Sequence, residues 1–425
     1  MRILFLAHRL PYPPNKGDRI RSFRELQLLS ERHEVDLFCF YDEPEDEQQV
    51  ENVKRYCRYS YAEKLGWLSS RLRSLATLFK GQPFSMAHFH SRTMEEALRK
   101  AIHLERYDLV FMFSSSMATY SQVMEHLPVI LDMVDVDSDK WAQYAAQSSP
   151  LLSWLWAREA RLLSDCETQM VERSVATLLC TDSEAAILIR RGQAQKIRVV
   201  GNVLDMDYFD RESVQIPGEI ASWRPYIIFT GAMNYRPNVD AVTYFHREVF
   251  PIIRKSLPEL KFVIAGMSPS REVVELASDD AVRVTGLVSD IRPYLKGAVA
   301  AVVPMRIARG IQNKILEALA MGLPVITTRK IAGGLPQSVA SLLSVGDLSQ
   351  EFAAAVLDAV QNGPKHAAVK VRDALAEHYS AAELRSRLEQ LVSEAVPWKT
   401  AGRAKQRMAG VIEDPALTTS ARQIQ

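Results

Sequence analysis

VVPMRIARGIQNKILEALAMGLPVITT, residues 302–328, decides how this chain folds. An apolar run ends at Pro304, and the short loop MRIAR leads to Gly310. The spacing then predicts a helix from about Ile311 to Met321, with Ile311, Ile315 and Leu319 on one inward face. Gly322 stands where a helix C-terminal cap is expected, and Pro324 forbids continuation. The next apolar run, LPVITT, is a second strand. Strand, loop, helix and strand in this order form the repeating unit of a parallel sheet.

The same rhythm extends in both directions. Toward the C-terminal half, PYIIFTG (225–231), LKFVIAG (260–266), AVRVTG (281–286) and AVAAVVP (298–304) read as strands. Pro237 predicts a helix from about Asn238. In the N-terminal half the strands are RILFLA (2–7), VDLFCF (35–40), DLVFMF (108–113), PVILDMV (128–134), ATLLCT (176–181) and IRVVG (197–201). A chain of 425 residues exceeds what one core usually fills. The reading is therefore α/β with two domains, 1–205 and 206–396, followed by a polar stretch, 397–425, without apolar period and read as disordered.

Composition excludes several classes. A formal net charge of +1 is not that of a dedicated nucleic-acid binder. The cysteines Cys39, Cys57, Cys166 and Cys180 are scattered, without zinc or redox spacing. No apolar run reaches the length of a membrane span, and the N-terminal run stops at His8 and Arg9, too short for a signal peptide. The expected location is the cytoplasm. LGWLSSRLRSLATLFK (65–80) and LLSWLWAREARLL (151–163) are amphipathic; each reads as a covering helix or as a peripheral contact with the inner face of the membrane.

In open parallel sheets, ligands bind beyond the carboxyl ends of the strands. Gly310 permits close approach to the backbone, and the N–H groups of Ile311, Gln312 and Asn313 are expected at the positive end of the helix dipole, an anion site suited to a diphosphate. Lys314 opposes that dipole, which suggests service to a ligand, and Glu317 lies one turn on, where a carboxylate accepts both hydroxyls of a ribose. Spacing alone leaves open whether the two instead form a solvated i,i+3 pair.

Residues 310–328 resemble the donor-binding segment of the retaining family-4 glycosyltransferases, which have the GT-B fold: two Rossmann-like parallel-sheet domains facing across a cleft. Glu317, followed by ALAMGLPVI, occupies the second of the family's two glutamates; Arg309 stands where the first is expected, and a guanidinium suits phosphate or an anionic sugar. LPYPPNKGDRIRSFRELQLLS resembles the family's first loop, with Gly17 at its turn. VVGNVLDMDYF resembles the connection into the second domain, and GLVSDIRPYL the segment near the nucleotide base. FTGAMNYRPNVDAV resembles the start of that domain, with Gly231 and Arg236 toward the diphosphate. LDMVDVDSDKW, RGIQNKILEALAMG and TGAMNYRPN together resemble the sugar transferases associated with PEP-CTERM/exosortase systems.

The resemblance implies a retaining hexosyltransferase that moves a sugar from a nucleoside diphosphate to a hydroxyl acceptor, glycan or lipid-linked, in exopolysaccharide or cell-surface glycan assembly. It implies no metal and no cofactor. The donor set is Gly17, Gly231, Arg236, Arg309, Gly310, Ile311, Gln312, Asn313, Lys314 and Glu317. In the acidic run Asp132, Asp135, Asp137 and Asp139, Asp135 is assigned nearest the reacting sugar, to orient the acceptor hydroxyl or take its proton. The bland alternative is a loop of solvated carboxylates. His88 and His90 lack a third ligand in the sequence and read as structural. A nucleotide-sugar epimerase and a non-catalytic two-lobed sugar-binding module remain as alternatives.

Overall fold

A computed structural model describes residues 1–14, 17–43, 45–66, 73, 77, 81–146, 148–307 and 310–397. The chain forms two compact units: one of 1–178, 188–198 and 385 onward, the other of 179–187 and 199–384. The change of unit near 199 precedes the sequence-based boundary at 205, and the last helix, Ala381–Ala395, runs from the second unit into the first. The polar stretch from 398 and most of 65–80 lie outside the described residues.

The first unit holds a seven-stranded sheet in the order β3-β2-β1-β4-β5-β6-β7. Its strands are β1 Arg2–Ala7, β2 Glu34–Tyr41, β3 Tyr59–Lys64, β4 Leu109–Phe113, β5 Val129–Val134, β6 Ala176–Leu179 and β7 Ile197–Val199. The pairs from β3 through β5 are parallel. β4 and most of β1 and β2 are buried on both faces, which is why they read as continuous apolar runs without alternation. Two buried acids of the long helix Pro150–Arg173 tie other helices to it. Glu159 accepts from Phe84 N (2.8 Å) and Ser85 N (3.0 Å) at the start of Phe84–His88. Glu167 accepts from Ser138 N (2.9 Å) and Arg191 Nη1 (3.0 Å), at the start of Asp137–Ala146. Each carboxylate meets N–H groups that have no helical carbonyl to bond.

The second unit has six strands in the order β10-β9-β8-β11-β12-β13, all paired parallel. They are β8 Tyr226–Thr230, β9 Lys261–Ala265, β10 Val282–Gly286, β11 Ala300–Val303, β12 Val325–Thr327 and β13 Ser344–Val345. Both sheets thus have the doubly wound order in which direction reverses at the centre, between β1 and β4 in one and between β8 and β11 in the other. That is where such sheets open a crevice for a ligand. Each unit buries its own core; in the second, Ile227, Ile228, Phe262, Val263, Val302 and Ile326 are fully enclosed. No described helix is long and apolar enough to cross a membrane.

Candidate functional site

The reversal point of the second sheet brings the loops after β8 and β11 together, and most of the donor set lies on them. β8 ends at Thr230, and Gly231 follows with φ +148°, a conformation that L side chains rarely adopt. A Cβ at Gly231 would sit 2.7 Å from Asn238 Nδ2 and 3.1 Å from Lys314 Nζ. The glycine therefore lets the backbone run directly against the lysine. Gly266, after β9, has φ +154°, and a Cβ there would lie 1.7 Å from Gly231 O. The two glycine turns are pressed together, and the N–H of Gly231 donates to Ala265 O (3.1 Å).

Helix Arg236–Tyr244 begins at Arg236, with Pro237 in its first turn as expected. Asn238 on that turn is buried and works in both directions: Nδ2 donates to Ala232 O (2.9 Å), and Oδ1 accepts from Lys314 Nζ (2.7 Å). Lys314 Nζ also stands 4.1 Å from the centre of the Phe229 ring and 3.7 Å from Met305 Sδ. Its ammonium is thus directed at the glycine turn of β8. The solvated i,i+3 pair is not formed: among the described residues Lys314 makes no ion pair with Glu317.

The helix after β11 spans Asn313–Ala320, two residues later than the periodicity predicts. Gly310 turns at φ +59°, and Gln312 is extended (φ −86°, ψ 94°) as the N-cap, so Ile311 and Gln312 precede the helix. Ile315 N–H folds back to Gln312 O (2.9 Å). The N–H groups of Asn313 and Lys314 are then the ones that open the helix without a helical acceptor. Asn313 Oδ1 accepts from Asn202 Nδ2 (2.7 Å), which ties this start to the chain leaving β7. Ile315 and Leu319 are buried, Ile311 packs against the same core, and Gly322 caps at φ +71°.

The electrostatics of Lys314 and Glu317 mark this site. Burial lowers the Lys314 ammonium to about 7, partly opposed by the nearby Glu317 carboxylate. Burial raises the Glu317 carboxyl to about 7, opposed by Lys314. A half-buried lysine and glutamate, both shifted toward neutrality at a strand-end loop, make this loop the candidate site. Arg236 is exposed at the head of its helix, and Arg309 lies outside the described residues.

The remaining candidate residues lie in the first unit. Gly17 is exposed and starts helix Gly17–Ser30 in the segment after β1. Asp135 is half-buried just past β5. The acidic run is not uniformly solvated: Asp132 is fully buried, with Oδ2 accepting from Arg21 Nε (2.6 Å). Asp137 accepts from Ser115 Oγ (3.1 Å) in the helix after it. His90 Nδ1 is 3.4 Å from Thr119 Oγ1. Sequence reading missed Asn238 and Phe229. The available signal for Asn238 was a polar side chain one residue after a helix-starting proline, three residues before the apolar pair Ala241 and Val242.

With this geometry in place, comparison with known proteins is informative. Residues 224–362 match the family model for glycosyl transferases group 1, a stretch that begins just before β8 and includes the whole candidate site. An uncharacterized 44.6 kDa protein in the cps region of Klebsiella pneumoniae is 21% identical over 407 residues, covering 89% of this chain and 96% of that one. Among solved structures, sucrose-phosphate synthase from Thermosynechococcus elongatus superposes with a TM-score of 0.67 at 15% identity, covering 95% of this chain and 100% of that one. Anabaena HepE in complex with UDP and glucose gives 0.62 at 12% identity, covering 92% and 99%. The fold is GT-B, with two Rossmann-like parallel-sheet units.

Proposed function

We propose that the protein is a glycosyltransferase whose second unit binds a nucleoside-diphosphate sugar and whose first unit receives a hydroxyl acceptor. The observation that carries this reading is the convergence of the Gly231 turn, Asn238 and Lys314 at the centre of the second sheet, beside the start of helix Asn313–Ala320. The diphosphate lies against the Gly231 backbone and the helix start, with Lys314 neutralising charge as the leaving group departs. Glu317 accepts the ribose hydroxyls. Arg236, Gly310, Ile311 and Gln312 complete the approach, Arg309 adds a cation toward the sugar or phosphate, and Gly17 belongs to the same proposed donor set. Two similar proteins support this class: HepE is solved in complex with UDP and glucose, and the Klebsiella relative lies in a cps region. Transfer of a hexose with retention, in exopolysaccharide or cell-surface glycan assembly and without a metal, is part of the same proposal.

The test is a thermal-shift screen with UDP-, GDP-, ADP- and TDP-sugars, followed by nucleotide release in the presence and absence of EDTA. One donor is expected to raise Tm by several degrees, and EDTA to leave turnover unchanged. No shift with any donor sinks the proposal. Loss of turnover in EDTA rules out its metal-free part.

The expected place of action is the cytoplasm, with contact at the inner membrane face. Leu151, Leu152 and Trp154, at the start of helix Pro150–Arg173, are all exposed and would provide this contact. Co-flotation with anionic vesicles is expected, and is weakened by Trp154→Ser; equal recovery of both forms at the bottom of the gradient refutes the contact.

A further inference from the structure

The first unit buries three charged side chains side by side. Arg21 and Glu25, both on helix Gly17–Ser30, and Asp132 on β5 are all essentially inaccessible. Arg21 Nε donates to Asp132 Oδ2 at 2.6 Å and stands 3.2 Å from Glu25 Oε1. One guanidinium faces two carboxyl groups, an arrangement that cannot carry both negative charges in a dry interior. Burial, together with the Asp132 charge beside it, raises the Glu25 carboxyl well above the ordinary range, which favours its neutral form. Both Glu25 oxygens are enclosed in the interior beside Arg21.

Asp132 also grips the end of the sheet. Its Oδ1 accepts from Val134 N (2.9 Å), and its carbonyl accepts from Ser114 N (2.7 Å), just past β4. Val134 has φ +65°, and Asp135 N–H donates to Met133 O (2.8 Å), an i→i−2 bond that closes a tight turn around Val134. A β-branched residue with positive φ is a genuine outlier. Ser114, the residue after β4, is strained as well, at φ +81°. Such strain persists only where its surroundings over-determine it, and it gathers at functional sites.

We infer that Arg21, Glu25 and Asp132 form a positioning cluster that locks the Met133–Val134–Asp135 turn and thereby fixes Asp135 for the acceptor hydroxyl. The inference rests on the sugar-transfer reading for its purpose, while the lock itself is a property of the unit alone. The amide of Asn at position 132 turns a donor toward Arg21 and breaks the grip; glycine at position 134 adopts φ +65° without help. Glu25→Gln keeps a donor and is expected to be silent.

The experiment compares wild type, Asp132→Asn, Asp132→Asn/Val134→Gly, Val134→Gly and Glu25→Gln, by hydrogen exchange and by nucleotide release from the donor that gives a thermal shift, with alkyl glycosides as acceptors. Asp132→Asn is expected to speed exchange at the Val134 and Asp135 amides about tenfold or more. It should lower kcat about 10²-fold while the donor-induced Tm shift persists. Val134→Gly should restore both. Unchanged exchange in Asp132→Asn, no rescue by Val134→Gly, or a Glu25→Gln enzyme as impaired as Asp132→Asn overturns the inference. If Asp132→Asn does not fold, Val134→Gly alone decides: a Tm near or above wild type supports a relieved outlier, and the drop usual for Val→Gly refutes it. A wild type without turnover defeats the sugar-transfer reading and the role of Asp135, and exchange still reports on the lock.

Discussion

Lys314→Met is expected to lower kcat/KM for sugar transfer by about 10²–10³-fold, the usual cost of removing one group aimed at developing charge in a water-poor site. The lysine stands over the Phe229 ring and against the Gly231 turn, where its charge is poorly solvated. A methionine fills the same space and leaves Asn238 Oδ1 without its donor, costing about 1–3 kcal/mol. Against that, removing a desolvated cation is favourable. The two terms nearly cancel, so Tm should move by only a few degrees while turnover collapses. The pH dependence separates the lysine from a mere packing group. Its ammonium titrates at about 7 in the folded chain and near the ordinary lysine value when unfolded. Between those values the unfolded state binds more protons, so wild type gains stability with rising pH relative to Lys314→Met. Melting curves from pH 7 to 9 check the sign. A constant difference, or turnover within a few-fold of wild type, removes Lys314 from the site.

Both sheets were legible from the sequence wherever a strand is buried on two faces, because such strands are largely apolar runs. β8 and β9 are of this kind. The edge strands β7 and β10 were also read, but β3 and β13 were not. β3 reads YSYAEK and is mostly half-exposed, and β13 is two half-buried residues, so neither carries a buried-strand pattern. Helix Asn313–Ala320 was legible through Ile315, Leu319 and Gly322, but its start was not: whether Gln312 opens the helix or caps it depends on the turn at Gly310. The direction of Lys314 was equally hidden. The i,i+3 spacing offered Glu317, and the chosen partner is Asn238, 76 residues away. The acidic run shows the same limit. Four aspartates within eight residues look alike in sequence, yet only Asp132 points into the interior, because it belongs to β5 and meets Arg21 from 111 residues earlier. Local pattern finds elements; long-range polar pairings need the fold.

Glu317→Ala is expected to weaken nucleoside-diphosphate binding by about 10²-fold or more, since two hydrogen bonds to a carboxylate contribute about 1.5–3 kcal/mol each. The proton balance is the sharper expectation. Glu317 and Lys314 both titrate at about 7 in the free protein. Ribose hydroxyls favour the carboxylate and pull the Glu317 value down; a diphosphate favours the ammonium and pushes the Lys314 value up. Below pH 7, where the lysine is already charged, binding should therefore release a proton from Glu317. Above pH 7, where the glutamate is already ionised, binding should take one up at Lys314. Titration calorimetry with the UDP-, GDP- or ADP-sugar that gives a thermal shift, whose capped diphosphate has no group titrating in this range, at pH 6 and 8 in buffers of differing ionisation heat, reads this directly, with up to about one proton in each direction. Glu317→Gln should abolish the release and leave the uptake; Lys314→Met should do the reverse. The same sign at both pH values in wild type would mean that at least one of the two side chains does not touch the nucleotide.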